Sequence, residues 1–301
     1  MQSGQAERPS LRGGAAIGTI NAMTVDVEDY FQVSAMESQV PRDRWDRFDG
    51  RVEANMDRIL ELFDARGAKA TFFTLGWVGE RYPNLLRRIV AEGHELASHG
   101  SAHHRVSRQT PAQFRADIRH AKTVLEQATG VSVKGYRAAS FSLTPNTPWA
   151  HEIMAEEGHH YSSSVYPGAH DHYGIPTAPR APYRPIAGQA FVELPITTVE
   201  IAGRRLPCGG GGFFRLLPYS YFKWGYRRVN QRDGLPGIFY FHPWEIDPEQ
   251  PRVAGLSAKT QFRHYVNLAG MLRRLDRLLT DFRWDRMDRL VGSDSAPEAA
   301  A

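Results

Sequence analysis

Apolar positions along this chain follow two alternating rhythms. Short β-branched or aromatic runs read as strands: Ile20–Val27, Ala70–Leu75, Glu95–Ser98, Val133–Arg137, Tyr161–Ser164 and Gly237–Phe241. Between them lie segments of helical period. Val52–Ala65 carries apolar residues at Val52, Met56, Ile59, Leu60, Leu62 and Phe63, close to helical period, and meets Gly67 just past its end. Pro83–Gly93 carries Leu85, Leu86, Ile89 and Val90. Thr110-Pro111 is a helix start, with threonine as cap and proline at the first helical position, and that helix ends at Gly130. Thr147–Glu157 is a further helix. Strand and helix alternate roughly every 30 residues in the first half, the pattern of parallel βα units. An α/β class follows, with chemistry expected at the carboxyl ends of the strands.

The second half is less regular. Pro167–Pro185 is a long loop rich in Pro, Gly, His and Tyr. Ala190–Leu194 and Thr197–Ile201 read as strands, and Tyr219–Val229 as a helix. Gly209-Gly210-Gly211-Gly212 lacks the lysine and hydroxyl of a phosphate loop and reads as a flexible turn or lid near the site. Arg42–Asp49 reads as a charged surface loop, and Thr260–Leu279 as one long amphipathic helix. Residues 1–18 read as a disordered lead and 292–301 as a disordered tail. Between them, 19–291 reads as a single domain including a C-terminal helical extension.

Composition narrows the picture by exclusion. The 301 residues are 42% hydrophobic and 23% charged, as in an ordinary globular protein. The net charge of +4 comes from arginines scattered among acids (Arg42-Asp43-Arg44, Asp276-Arg277), which does not form a nucleic-acid footprint. Cys208 is the sole cysteine, so neither an intrachain disulfide nor a cysteine-based zinc site is available. Met1–Ile20 has no apolar core of a secretory signal and nothing later reads as a membrane span; a cytoplasmic location is the expectation.

Chemistry concentrates where the strands end. His99 and His103 stand four positions apart, a spacing that puts both rings on one face of a helical turn, and neutral imidazole suits zinc and its borderline neighbours. Upstream, alternation along the strand puts Asp26 and Glu28 on one side, so that one can bind metal while the other accepts a proton from water. Asp29 replaces Glu28 as ligand if the strand has already turned. Arg137 is suited to pair with a carboxylate and aim it. His242, titrating near neutrality, is the natural general acid for a leaving amine. His94 and His104 are expected to be structural, whereas His159, His160, His170 and His172 lie in or beside the loop region and can face substrate or solvent.

These residues resemble a family. Thr24-Val25-Asp26 with Glu28-Asp29, Ser98-His99-Gly100-Ser101-Ala102-His103, Tyr136-Arg137 and Tyr240-Phe241-His242 are similar, in order, to four motifs of the NodB-type polysaccharide deacetylases of carbohydrate esterase family 4. Asp26–Phe31, Glu193-Leu194-Pro195, the four glycines with Phe213-Phe214-Arg215, and His242-Pro243-Trp244-Glu245 resemble a subgroup found with exosortase-linked exopolysaccharide loci. The resemblance implies a distorted, seven-stranded (β/α) barrel and metal-dependent removal of N-acetyl groups from amino sugars of a polysaccharide or oligosaccharide. It implies Asp26 as base, Arg137 as its orienting partner, His99 and His103 as metal ligands with Glu28 or Asp29, and His242 as acid. It also implies the Ser140 N–H as an oxyanion donor. Zinc is the expected metal, with cobalt or nickel as alternatives. The chain departs from the pattern in having glutamate where aspartate is usual, Ala139-Ser140 after Arg137, Tyr240 for a leucine, and no aspartate-tryptophan motif in Tyr161–Tyr166. The partner of His242 is therefore unassigned, with Glu193 a candidate. Two other readings keep the fold: a cyclic-amide hydrolase of allantoinase type, and a non-catalytic glycan-binding member of an assembly complex.

Overall fold

The computed structural model describes residues 19–171 and 173–291; the expected lead and tail, and His172, lie outside them. The chain runs β1 (Ile20–Val27), α1 (Val52–Ala65), β2 (Thr71–Thr74), α2 (Gly76–Arg81), α3 (Pro83–Ala91), β3 (Glu95–Ser98), α4 (Pro111–Thr129), β4 (Gly135–Tyr136), α5 (Trp149–Glu156), β5 (Tyr161–Ser162) and β6 (Val192–Glu193). A hairpin of β7 (Thr198–Ile201) and β8 (Arg204–Pro207) follows, then α6 (Gly211–Leu216), α7 (Tyr219–Arg227), β9 (Ile238–Phe241), α8 (Ala258–Tyr265), α9 (Met271–Asp281), β10 (Arg283–Asp285) and α10 (Asp288–Val291).

Seven parallel strands in the order β9-β1-β2-β3-β4-β5-β6 form a curled half-barrel. Short β10 pairs with Ile20–Ala22, below the stretch of β1 (Thr24–Val27) that pairs with β2, so it continues the line of β2 rather than widening the sheet. The gap between β6 and β9 is spanned by single contacts: Ile238 N–H donates to Thr197 Oγ1 (2.5 Å) and Tyr240 N–H to the Gly209 carbonyl (2.8 Å).

Alternation sorts side chains between lumen and helices. On β1, Met23, Val25 and Val27 join the core beneath the helices, packed with Ile59 and Phe63 of α1. Ala22 faces inward, with Phe73 and Ala97 of β2 and β3. Thr24 and Asp26 share that inward parity, so the apolar floor gives way to hydroxyl and carboxylate as β1 approaches its carboxyl end. The α4 start has the capping box read from the sequence: Gln113 N–H donates to Thr110 Oγ1 and Thr110 N–H to Gln113 Oε1. Gly130 closes the helix at φ 74°.

Three expectations are corrected. Arg42–Arg47 is a 3-10 turn rather than an irregular loop, on the surface except for Trp45, which is buried against Phe31 and Trp77. The long C-terminal helix is two helices, because the buried Arg215 guanidinium takes the carbonyls of Arg263, His264 and Val266 and ends α8 there, after which Asn267 turns left-handed (φ 53°). The glycine run is no flexible lid. A Cβ on Gly209 would lie 2.8 Å from the Ile238 carbonyl, one on Gly210 2.8 Å from the Tyr240 ring and one on Gly211 2.1 Å from the Glu245 carboxylate. Those glycines permit backbone approach, and α6 begins within them.

Glu157, just past α5, accepts hydrogen bonds from Arg115 and Arg119 of α4 at 2.7–2.9 Å. The Arg119 bond leads, and with Arg115 it outweighs burial and holds the carboxyl down at about 2. A carboxyl depressed on folding stabilises above its ordinary value, and that contribution fades as the pH falls from about 4.5 to about 2. Glu157→Gln is expected to lower stability by about 1 kcal/mol or less at pH 7, since the arginines reach solvent. Urea titrations of the two proteins should converge as the pH drops below about 4.5.

Candidate metal and hydrolytic site

The strand ends carry the site. Beyond β3 the chain turns sharply at Gly100 (φ 77°), where a Cβ would meet the Asp117 carboxylate at 2.8 Å. Asp117 takes the Ser101 N–H, and Ser101 Oγ donates to the Asp117 carbonyl (2.7 Å). His103 itself is left-handed (φ 54°), a costly conformation for a non-glycine residue that is concentrated at functional sites. The two histidines therefore converge through a strained turn and not through helical spacing. Their ring centroids are 5.4 Å apart.

Glu28, His99 and His103 each offer a ligand atom, all within 4.8 Å of one another, and all three side chains are buried. His99 Nδ1 lies 2.9 Å from the Arg137 carbonyl, which accepts from it and leaves Nε2 as the lone-pair atom. His103 Nδ1 is 3.3 Å from Ser34 Oγ, so its Nε2 faces Glu28 Oε2 at 3.1 Å. Burial pushes His99 down to about 4 and His103 well below its ordinary value, so both rings are neutral, as ligands must be. Burial likewise pushes Glu28 up to about 7; His242 pulls it down and Asp26 adds to the rise. Glu28 Oε2 has no hydrogen-bond partner among the described residues. Two neutral imidazoles and an orphaned buried carboxylate oxygen fit a divalent cation of zinc type with an open position for water.

Asp29 stands apart. Its carboxylate accepts the N–H groups of Tyr30 (2.8 Å), Arg51 (2.6 Å) and Val52 (3.1 Å), which caps α1 and leaves no oxygen turned to the histidines. The glutamate is longer than aspartate, and that length lets position 28 reach the cluster.

Asp26 is 2% exposed and faces Arg137, which is fully buried. Arg137 donates to Asp26 Oδ1 (2.6 Å), Thr24 Oγ1 (2.8 Å), the Ser163 carbonyl (3.0 Å) and Ser163 Oγ (3.0 Å), with its guanidinium 4.1 Å from the Phe73 ring centroid. His242, at the end of β9, closes the other side: its Nε2 is 3.5 Å from Glu28 Oε1 and 3.9 Å from Asp26 Oδ2. Burial alone would lower this ring, but Glu245, Glu28 and Asp26 outweigh it and hold it at about 9. Ser140 lines the same cleft in the left-handed region (φ 55°), its hydroxyl 2.8 Å from that of Ser34. The cleft has a volume of about 550 Å³ and continues past His170 and Tyr173 to Lys259, Phe262 and Arg263.

Glu193 does not meet His242. It accepts the Ser164 and Val165 N–H groups (2.7 and 2.8 Å) and lies 3.2 Å from His151. The partner of His242 is Glu245, three residues on, with Arg215 behind it. Sequence reasoning missed these roles, although Glu245 three positions after a turn-opening residue is a capping-box spacing. His94 accepts the Ala70 N–H (3.2 Å) and is structural. His159 is buried beside Tyr136, away from the cleft.

Residues 45–160 match the family described as polysaccharide deacetylase, and residues 163–292 match a domain of unknown function, DUF3473. Among curated proteins, the chain is 29% identical over 97 residues to a chitooligosaccharide deacetylase of Bradyrhizobium sp. (strain ANU 289), covering 32% of this chain and 42% of that protein. It is 30% identical over 96 residues to a peptidoglycan-N-acetylglucosamine deacetylase of Bacillus cereus, covering 32% and 35%. The matches thus span less than half the length of these relatives. Among solved structures, a polysaccharide-deacetylase-type protein of Mycobacterium smegmatis superposes with a TM-score of 0.61 at 18% identity, covering 95% of this chain and 94% of that one. An allantoinase superposes with 0.59 at 17% identity, covering 94% and 93%. A pseudoenzyme of carbohydrate esterase family 4 from Bacillus anthracis reaches 0.51 at 12% identity, covering 91% and 66%. At these identities the structures share the fold.

Glu28 and Asp29 should separate cleanly on substitution. Glu28→Gln is expected to weaken zinc binding by at least about 10-fold in a competitive chelator titration. Asp29→Asn should retain zinc and lower unfolding stability by about 1 kcal/mol, the loss of a helix cap.

Proposed function

We propose, from the match of residues 45–160 to the polysaccharide deacetylase family, that this protein is a metal-dependent hydrolase removing N-acetyl groups from the amino sugars of a polysaccharide. One observation carries the reading: a buried Glu28–His99–His103 cluster has an arginine-held carboxylate on one side and the His242 imidazole on the other. An exopolysaccharide is the polymer suggested by the four-glycine and His242–Glu245 motifs.

Glu28, His99 and His103 would hold the cation. When bound, it supplies Lewis-acid polarisation of the acetamide carbonyl and a more acidic water. Arg137 occupies Asp26 Oδ1, which leaves Oδ2 to take the proton of the attacking water. Arg137 cannot give up its own proton, so it aims Asp26 without competing for that role. The Ser140 N–H donates to the oxygen that gains charge as the carbonyl carbon becomes tetrahedral. His242 Nε2–H then passes its proton to the departing nitrogen as the C–N bond breaks. The products are acetate and a free amine on the sugar.

The deciding experiment is acetate release from N-acetylglucosamine oligosaccharides by protein stripped with chelator and reloaded with zinc, cobalt or nickel. Activity should vanish and return with metal. His99→Ala and His103→Ala are expected to lose metal and activity together, and Asp26→Asn to lose about 10²–10⁴-fold in kcat with metal retained. Ureide hydrolysis without acetate release would instead favour the allantoinase-type reading. Glycan binding that survives chelation, with no product, would favour a binding protein.

A further inference from the structure

His242 is held from behind by a set of residues that the reaction above does not use. Its Nδ1 lies 3.1 Å from Glu245 Oε2, and the same oxygen accepts the His242 backbone N–H at 3.0 Å. The other oxygen, Oε1, accepts Arg215 Nε at 2.9 Å. Glu245 and Arg215 are each 1% exposed. A buried arginine and carboxylate in contact share one proton count, arginine charged and carboxylate ionised, so Nδ1 of His242 must be the donor. Arg215 is itself immobilised by the three carbonyls at the end of α8. The Trp244 indole stacks on the imidazole (5.1 Å between centroids, 18° between planes), and His264 stacks on Trp244 (4.1 Å, 12°). Glycine is required at 211, where a Cβ would sit 2.1 Å from Glu245 Oε2.

We propose that Glu245, backed by Arg215 and admitted by Gly211, is the positioning residue of the proton donor, fixing His242 with Nδ1–H rearward and Nε2–H toward the leaving nitrogen. The proposal rests on the deacetylase reading for its catalytic purpose. Rotation of the ring about its χ2 would exchange the proton-bearing edge for a C–H edge, and the Nδ1–H bond to Glu245 Oε2, an oxygen itself held by the His242 backbone N–H, opposes it. In the reaction, the C–N bonding pair becomes the nitrogen lone pair that takes the Nε2 proton. The Nδ1–H stays with Glu245 throughout, and the ring is left neutral.

The test compares two leaving groups. The zinc-loaded wild type, Glu245→Gln and His242→Ala are assayed on chitotetraose, whose amine must be protonated to leave, and on 4-nitrophenyl acetate, whose phenolate need not be. Glu245→Gln is expected to lose about 10²-fold in kcat on the amide with little change in KM, and less than about 3-fold on the ester, with zinc content unchanged. Adding Glu245→Gln to His242→Ala should cost nothing further on the amide, because the two act as one unit. A second readout does not need activity: in histidine-15N-labelled protein, the hydrogen-bonded Nδ1–H of His242 should be lost in Glu245→Gln while the His99 and His103 signals stay. Parallel losses on amide and ester, full amide activity in Glu245→Gln, or an unchanged His242 spectrum would each overturn the proposal. A wild type that releases no acetate, with the spectral change present, would instead overturn the deacetylase reading and leave the Glu245 contact as a structural hold.

Discussion

The centre of this molecule is one fully buried charge. Arg137 enters the lumen from the end of β4 with no water to solvate it, so every donor on it has to find oxygen inside the protein. It finds them on β1 (Thr24, Asp26) and just beyond β5 (Ser163), while its own backbone carbonyl fixes His99. One arginine thereby ties together strands from three parts of the sheet and orients two of the groups in the cleft, Asp26 through its guanidinium and His99 through its carbonyl. Removing either partner would strand the other charge in a low dielectric, which makes the pair a constraint on the fold as much as on the site.

Around it, the chemistry is partitioned between two walls. The wall from β1 to β4 carries Asp26, Glu28, His99, His103 and Arg137. The other, from α6, β9 and α8, carries His242 and the side chains behind it. The polysaccharide deacetylase match covers part of the first wall, residues 45–160, and leaves Asp26 and Glu28 upstream of it. The second wall falls within 163–292, the match without an assigned function. Neither stretch holds a complete site.

Much of this was legible in the sequence because it depends on local rules. The period-two parity of β1 placed Asp26 and Glu28 together, and the Thr110-Pro111 start and Gly130 stop of α4 follow from backbone hydrogen-bond needs at helix ends. The strand-end positions of His99, Arg137 and His242 came from the apolar runs that mark the strands and from the alternation of strand with helix. What was not legible depends on contacts between distant segments. Spacing alone could not tell Asp29 from Glu28, because the Asp29 carboxylate is drawn away by backbone N–H groups at residues 51 and 52. Nor could it show that the periodic stretch 260–279 is cut by Arg215, some fifty residues earlier in the chain. The glycine run looked like freedom when read locally. In the fold it is clearance for Tyr240 and Glu245.

Arg215 has a mechanical consequence as well. Its guanidinium ties α6, the end of α8 and the turn after β9 into one block. That block also carries the cleft's rim, where Phe262 and Leu216 stand 57% and 46% exposed. On the deacetylase reading, a glycan that displaced the rim would displace the imidazole with it, because Arg215 ties both to α6. Width at the entrance and alignment at the centre thus share one anchor, the buried Arg215.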